Sequence, residues 1–222
     1  MRSPGADVLA VFVKEPRPGA VKSRLAARMG PENAAALYRA IAEEEIRRTA
    51  PRGDEYDRLF FFAPAGARPA IEAWLSGEAL VAQAEGDLGL RMAAAFREAF
   101  EGGARRVALV GSDVPWLARE DVLEALESLA EHDLVLGPAT DGGYYLVALK
   151  RGDPGLFRGV PWGTQGVLAA TLERAGALGR SVRALRTLGD VDTPEDVAAD
   201  WGRLAPLLPP AVRAAVASAL DL

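Results

Sequence analysis

The residues best equipped for chemistry fall into four short segments, each lying directly after a run of apolar residues. The first follows Asp7 to Val13 and reads Lys14-Glu-Pro-Arg-Pro-Gly19-Ala-Val-Lys22-Ser-Arg24. Only three of the 26 basic residues are lysines, and two of them, Lys14 and Lys22, stand in this loop, with Lys150 the third. In a chain that uses arginine for general positive charge, lysine marks places that want a compact ammonium, and phosphate oxygens are such a partner. A solvated basic loop is the plain alternative. The other three segments are acidic: Gly111-Ser-Asp113-Val-Pro115, Asp141-Gly142-Gly143-Tyr144-Tyr145 and Gly189-Asp190-Val-Asp192-Thr193. Carboxylates facing a basic loop suit Mg²⁺ or Mn²⁺ bridging phosphates, because Mg²⁺ takes one or two carboxylates and fills its shell with phosphate oxygens and water. Asp113 is the first candidate ligand, with Asp190 and Asp192 next. Asp192 also precedes Thr193-Pro194 and could simply serve a helix start.

These segments can meet only if the strands before them run in parallel. The pattern predicts strands at Asp7–Val13, Leu59–Phe62, Leu80–Gln83, Arg106–Val110, Leu134–Leu136, Tyr144–Leu149 and Val182–Leu185. Helices are expected from Pro31 to about Arg48, from Pro69 to Trp74, from Leu88 to Phe100 capped by Asp87, from Glu120 to Ala130, from Gln165 to Ala175 capped by Thr164, and from Thr193-Pro-Glu-Asp196 onward. In the helix after Asp87 the expected buried stripe is Leu90, Met92, Ala93, Phe96 and Phe100. In the helix after Glu120 it is Val122, Leu123, Leu126 and Leu129. Continuous apolar strands alternating with helices predict an α/β fold, a mostly parallel sheet covered on both faces. The Asp141-Gly-Gly turn adds one antiparallel hairpin, and as a strong turn signal it needs no function to explain it. Consecutive glycines would nonetheless let the backbone approach a ligand closely. Tyr144 and Tyr145 point to opposite faces, so at most one lines a pocket. Trp116 and Trp162 are candidates to stack on a base or sugar, or to sit in the core. A helix after Leu208-Pro-Pro210 could cover the core or join a homodimer.

Composition narrows the chemistry further. The chain of 222 residues is half apolar and is expected to form one domain over residues 1–222. It has no cysteine and a single histidine, His132 in a helix-to-strand turn. Thiol catalysis, thiolate metal sites and multi-histidine zinc sites are therefore excluded, and acid–base work falls to carboxylates. A net charge of −5 argues against a nucleic-acid binder. No apolar run is long enough for membrane insertion, and Met1–Asp7 lacks the apolar core of a signal peptide, so a cytoplasmic protein is expected.

Taken in order, the motifs resemble the bacterial nucleotide-diphospho-sugar transferase-like proteins of glycosyltransferase-A (GT-A) fold, a family related to the molybdenum-cofactor and phospholactate guanylyltransferases. The resemblance is carried by Phe12-Val-Lys-Glu-Pro16 with Gly19 and Lys22-Ser-Arg-Leu25, Gly86-Asp-Leu-Gly-Leu-Arg-Met92 and Gly111-Ser-Asp-Val-Pro115. It continues through Gly137 to Tyr145, Phe157 with Trp162-Gly-Thr164, and Asp190 to Asp196. It implies a three-layer GT-A sandwich and a nucleotide over the first loop, with Lys14, Gly19, Lys22, Arg24 and Arg91 near phosphates and Asp113 near a metal. Ser23 stands where the family pattern has Thr, and Leu90 where it has Glu. The Asp-x-Asp motif of many GT-A enzymes is absent at Asp113; only Asp190-Val-Asp192 has that spacing.

The reaction this implies is metal-assisted transfer from a nucleotide sugar to a small-molecule acceptor. Lys22 would stabilise the departing diphosphate, Asp141 would orient or deprotonate the acceptor hydroxyl, and Gly142, Gly143, Tyr144, Trp162 and Thr164 would line the substrate site. Two other readings stand beside it. One is nucleotidyl transfer from a nucleoside triphosphate to a phosphorylated acceptor with loss of pyrophosphate. The other is a nucleotide-binding regulatory module without turnover.

Overall fold

The first strand, β1 (Asp7–Lys14), is buried on both faces from Asp7 to Val13, and its alternate side chains enter two separate cores. Leu9, Val11 and Val13 point to one side of the sheet, and Val8, Ala10 and Phe12 to the other. The computed structural model describes residues 5–222; the first four residues of the Met1–Asp7 segment lie outside the described residues.

After β1 the chain forms α1 (Ser23–Met29), α2 (Pro31–Arg48), β2 (Asp57–Ala63), α3 (Arg68–Trp74), β3 (Leu80–Ala82), α4 (Leu88–Glu101), β4 (Arg106–Val110) and α5 (Arg119–Ser128). It continues through β5 (Leu134–Pro138), β6 (Tyr144–Leu149), α6 (Val167–Ala177), β7 (Val182–Ala184), α7 (Pro194–Leu204) and α8 (Pro210–Leu220). The strands build one sheet in the order β3-β2-β1-β4-β6-β5-β7. Every neighbouring pair is parallel except the two made by β6, which runs antiparallel to both β4 and β5. The expected hairpin is therefore present, and its second strand is wedged into the sheet's interior, giving two antiparallel pairings. The carboxyl ends of β1, β4, β5 and β7 share one edge, which brings the basic loop and all three acidic segments to the same rim.

Helices α4 and α6 cover one face; α1, α2, α3, α5, α7 and α8 contribute to the core on the other. Side chains such as Phe60, Phe62, Phe96 and Leu9 are fully buried, each stabilising the fold by about 1.5–3 kcal/mol relative to exposure. Helix α8 buries Val216 against this core and packs on α1 and α2, so it covers the core, the first of the two roles its sequence allowed.

Several local expectations need correction. Residues 23–29, read as loop, form α1. Leu90 is 61% exposed; the buried side of α4 is instead Gly89, Met92, Ala95, Phe96 and Ala99, with Ala93 and Phe100 half-buried. The face is rotated because Gly89 sits against Trp162: a Cβ there would lie 2.6 Å from the indole Nε1. In α5, Leu123 is only half-buried. Thr164 does not cap α6, which begins at Val167 after Gly166; its hydroxyl instead donates to Pro161 O and accepts from Gly166 N. Trp116 is buried in the core with Arg203 stacked on its ring, so it is no stacking platform for a ligand.

Candidate active site

Lys22 is the centre of the site. Its Nζ lies 3.1 Å from Asp113 Oδ2 and 3.2 Å from Asp192 Oδ1, joining the loop after β1 to the loops after β4 and β7. Arg24 reaches the other oxygen of Asp192 at 3.0 Å. The Lys22 side chain is only 5% exposed. Burial alone would push its pKa down, but Asp113 and Asp192 outweigh that and hold it above the ordinary lysine value.

The backbone of Lys22 supports a specific role for it. It sits at the N-cap of α1 with φ +49° and ψ +53°, a left-handed conformation that costs a non-glycine residue roughly 1–2 kcal/mol. Strain of this kind persists where surrounding structure over-determines it, as it does at functional sites. Here the ammonium caught between two aspartates supplies that determination.

Asp113 is held in place from α2. Tyr38 Oη accepts the Lys14 N–H at 2.8 Å and hydrogen bonds with Ser112 Oγ at 2.9 Å; the Val114 N–H donates to Glu45 Oε2 at 2.8 Å. Burial pushes Tyr38 up to about 12 and drives the Glu45 carboxyl well above its ordinary value, with the nearby Asp113 charge adding to the Glu45 shift. On the far side, the Val191 N–H donates to Asp113 O at 3.1 Å, locking the β4 and β7 loops together.

Two adjoining cavities open at this rim, sharing Phe12, Leu88, Gly111, Asp113 and Asp192. The smaller, about 390 Å³, is lined by Lys14, Lys22, Tyr38, Gln83, Arg91 and Ser112 among others. Arg91 lies over the Phe12 ring, 5.6 Å from its centroid, and its guanidinium is anchored on Gln83 Oε1. Gln83 is in turn fixed by its Nε2 donating to Phe61 O at 2.8 Å. The larger cavity, about 540 Å³, has an apolar floor that includes Met92, Leu109 and Val147, walls that include Trp162, Thr164 and both Tyr144 and Tyr145, rather than at most one of the tyrosines, and a rim carrying Arg24, Asp113, Asp141, Asp190 and Asp192. Burial, then the charges of Asp113 and Asp141, push the Asp190 carboxyl up to about 6.

Most of the residues singled out from sequence thus meet around one cleft. Two do not line it. Gly19 makes an exposed turn at φ +78°, and Gly142, at φ +88°, packs its backbone where a Cβ would lie 2.3 Å from Gln165 O. Gly142 docks the hairpin onto the start of α6, accepting the Leu168 N–H at 2.9 Å, while the Gly143 N–H donates to Asp141 Oδ1 at 2.8 Å. Sequence reading missed Gln83, Tyr38, Ser112 and Glu45.

For a divalent cation the donor chemistry fits: the larger cavity gathers four carboxylates, and Asp141 and Asp190 are in no close ion pair among the described residues, with Lys22 acting on Asp190 only at a distance. Among the described residues no three acidic or histidine side chains form a ready-made cage, and Lys22 fills the gap between Asp113 and Asp192. One or two carboxylates plus phosphate oxygens is the arrangement Mg²⁺ adopts.

A crystal structure from Desulfovibrio desulfuricans G20, assigned provisionally as a nucleotide-diphospho-sugar transferase, is 33% identical, with 97% of this chain and 96% of that one covered at a TM-score of 0.87. A CMP:2-keto-3-deoxy-manno-octonic acid synthetase solved with CTP shares the fold at 13% identity, covering 92% of this chain and all of that one, with a TM-score of 0.57. The 2-phospho-L-lactate guanylyltransferase of Methanopyrus kandleri is 40% identical over 92 residues, a match spanning 40% of this chain and less than half, 46%, of that protein. The sequence profile of one bacterial family matches residues 46–164, from the end of α2 through the Asp113 loop and the hairpin to Thr164. The fold is that of the nucleotide-diphospho-sugar transferases, and the chain belongs to the family described as an uncharacterized protein conserved in bacteria, DUF2064.

Proposed function

We propose that this protein is a transferase acting on a nucleotide-activated sugar, with the diphosphate held where the two cavities join. The observation that carries this reading is the placement of Lys22, a strained and nearly buried lysine whose ammonium faces the junction. The smaller cavity presents Lys14, Lys22 and Arg91 to the nucleotide and its phosphates, and Arg24 stands at the rim of the larger one. Charge developing on a departing diphosphate is stabilised by such pre-placed cations. Asp113, with Asp190 and Asp192, would hold Mg²⁺ or Mn²⁺, which supplies Lewis-acid neutralisation of the diphosphate when bound. Asp141 is exposed at the mouth of the larger cavity, where a carboxylate can orient an acceptor hydroxyl or take its proton.

A second reading, nucleotidyl transfer with release of pyrophosphate, is favoured by the 40% identity to a guanylyltransferase. Both readings require nucleotide binding, and the product separates them. A thermal-shift screen of nucleotides with Mg²⁺ or Mn²⁺, followed by incubation with matching nucleotide sugars, should give stabilisation and then release of nucleoside diphosphate. Pyrophosphate release from a triphosphate would establish the second reading. No stabilisation by any nucleotide would refute both.

A further inference from the structure

We infer that the larger cavity takes an acceptor that bears hydroxyl groups and carries no phosphate or carboxylate of its own. The inference rests on the nucleotide-sugar reading and specifies the other half of the reaction. Its basis is the combination of an apolar floor with a rim of four aspartates and one arginine, Arg24. Met92, Leu109 and Val147 are buried beneath the cavity, and Trp162 stands at its side, half-buried and in edge contact with Tyr144. This surface suits the carbon face of a ring or chain.

The polar groups above it are acceptors in excess. Of the four aspartates, Asp113 and Asp192 are engaged by Lys22 and Arg24. Asp141 receives the Gly143 N–H on Oδ1, and neither Asp141 nor Asp190 is in a close ion pair among the described residues, although the charge of Lys22 reaches Asp190 and partly offsets its neighbours. An ionised carboxylate is acceptor-only, so a ligand beside it must bring O–H or N–H donors. A phosphorylated ligand would bring more acceptors and more negative charge into a site already holding a diphosphate. With Asp113, Asp190 and Asp192 turned to a cation and the diphosphate, Asp141 is left facing the acceptor. Arg24 does not reverse this balance, because it is already paired with Asp192.

The test compares matched pairs: glycerol with glycerol 3-phosphate, glucose with glucose 6-phosphate, and inositol with inositol 1-phosphate. Saturation-transfer NMR on the protein saturated with nucleoside diphosphate and Mg²⁺, so that the cavity lined by Lys14, Lys22 and Arg91 is occupied, reads binding directly, and its outcome does not depend on whether any nucleotide sugar is turned over. The neutral member of at least one pair should bind at least tenfold more tightly than its phosphate, with the signal reduced in Trp162→Ala. In Asp141→Asn, which keeps the oxygen that accepts the Gly143 N–H and loses the charge, the preference should shrink severalfold. Equal or tighter binding of the phosphorylated members overturns the inference. So does failure of every neutral compound to bind at millimolar concentration. Stabilisation by nucleotides with either of those outcomes would leave the nucleotide reading standing and remove only this one.

Discussion

Replacing Lys22 by methionine keeps the length of the apolar stem and deletes the ammonium, which makes it the most informative single perturbation. Two ion pairs are lost, at 3.1 and 3.2 Å. With an effective dielectric constant of about 20, each is worth roughly 5 kcal/mol of gross attraction. The net is much smaller. The lysine is almost fully desolvated at 5% exposure, which cancels part of that attraction. The Asp113 and Asp192 side chains are 39% and 35% exposed, so water screens their charges, and Asp192 keeps Arg24. Breaking a fully buried pair costs about 3–5 kcal/mol; for this half-open one, about 2–4 kcal/mol is expected. In a chain of this size that corresponds to a fall in Tm of roughly 5–15 °C.

The same deletion leaves two carboxylates facing each other with no ammonium between them. Measured by thermal unfolding in chelator and then in Mn²⁺, Lys22→Met should lose stability in chelator and recover more with Mn²⁺ than the parent does, because a ligand stabilises the folded state in proportion to how tightly that state binds it. Its stabilisation by nucleoside diphosphate in chelator should also fall if Lys22 holds the diphosphate as proposed. A variant as stable as the parent and no more responsive to Mn²⁺ would refute the assignment of Lys22 as the charge that holds the site together.

Two further outcomes follow from the same structure. Asp7, at the opposite end of β1, accepts from both Arg105 and Arg106; burial pushes its pKa up, but the two guanidiniums outweigh that and hold it below the ordinary 3.8. Its stabilisation is therefore complete above the unfolded value and lost as pH falls through the lower folded one, so Asp7→Asn should cost about 1–3 kcal/mol at neutral pH, lessen the parent's loss of stability in acid, and leave nucleotide binding unchanged. Gly142→Ala should destabilise by about 2–4 kcal/mol by chemical denaturation, because it combines φ +88° with a backbone oxygen 2.3 Å from the new Cβ; a change within about 0.5 kcal/mol would mean that the hairpin can move off α6 freely.

The sheet was legible because its strands are nearly continuous apolar runs, and once they run parallel the loops after them must share a rim. That rule brought Lys22, Asp113 and Asp192 together across 91 and 170 residues of chain without any pairwise signal. It could not foresee that Lys22 would lie between the two aspartates, because that depends on a left-handed backbone at a residue that rarely adopts one. Helix α1 was hidden for a related reason. Its seven residues lack an N-terminal side-chain cap, and Leu25 and Met29 are its only buried anchors. The buried face of α4 was misplaced because periodicity ranks Leu90 above Gly89, whereas packing against Trp162 selects the residue with no side chain.

The residues missed altogether share one property: their roles are to fix other groups, through side-chain partners that, apart from Arg91 on Gln83, lie 22 or more residues away. Gln83 reads as the end of an edge strand until Arg91 is seen resting on it, and Tyr38 and Glu45 read as ordinary positions of an amphipathic helix. Yet Asp113 stands on a loop whose neighbours on both sides, Ser112 and Val114, are bonded to α2. A half-exposed aspartate beside a buried lysine needs such support, because a loop free to relax would let the ion pair exchange for water. Burying Glu45, whose carboxyl is driven well above its usual range, is a cost that the Val114 N–H and the charge of Lys22 offset only in part. Retaining a carboxyl there makes sense if the position of Asp113 matters more than the stability of α2. That exchange of stability for placement is characteristic of sites that act on ligands.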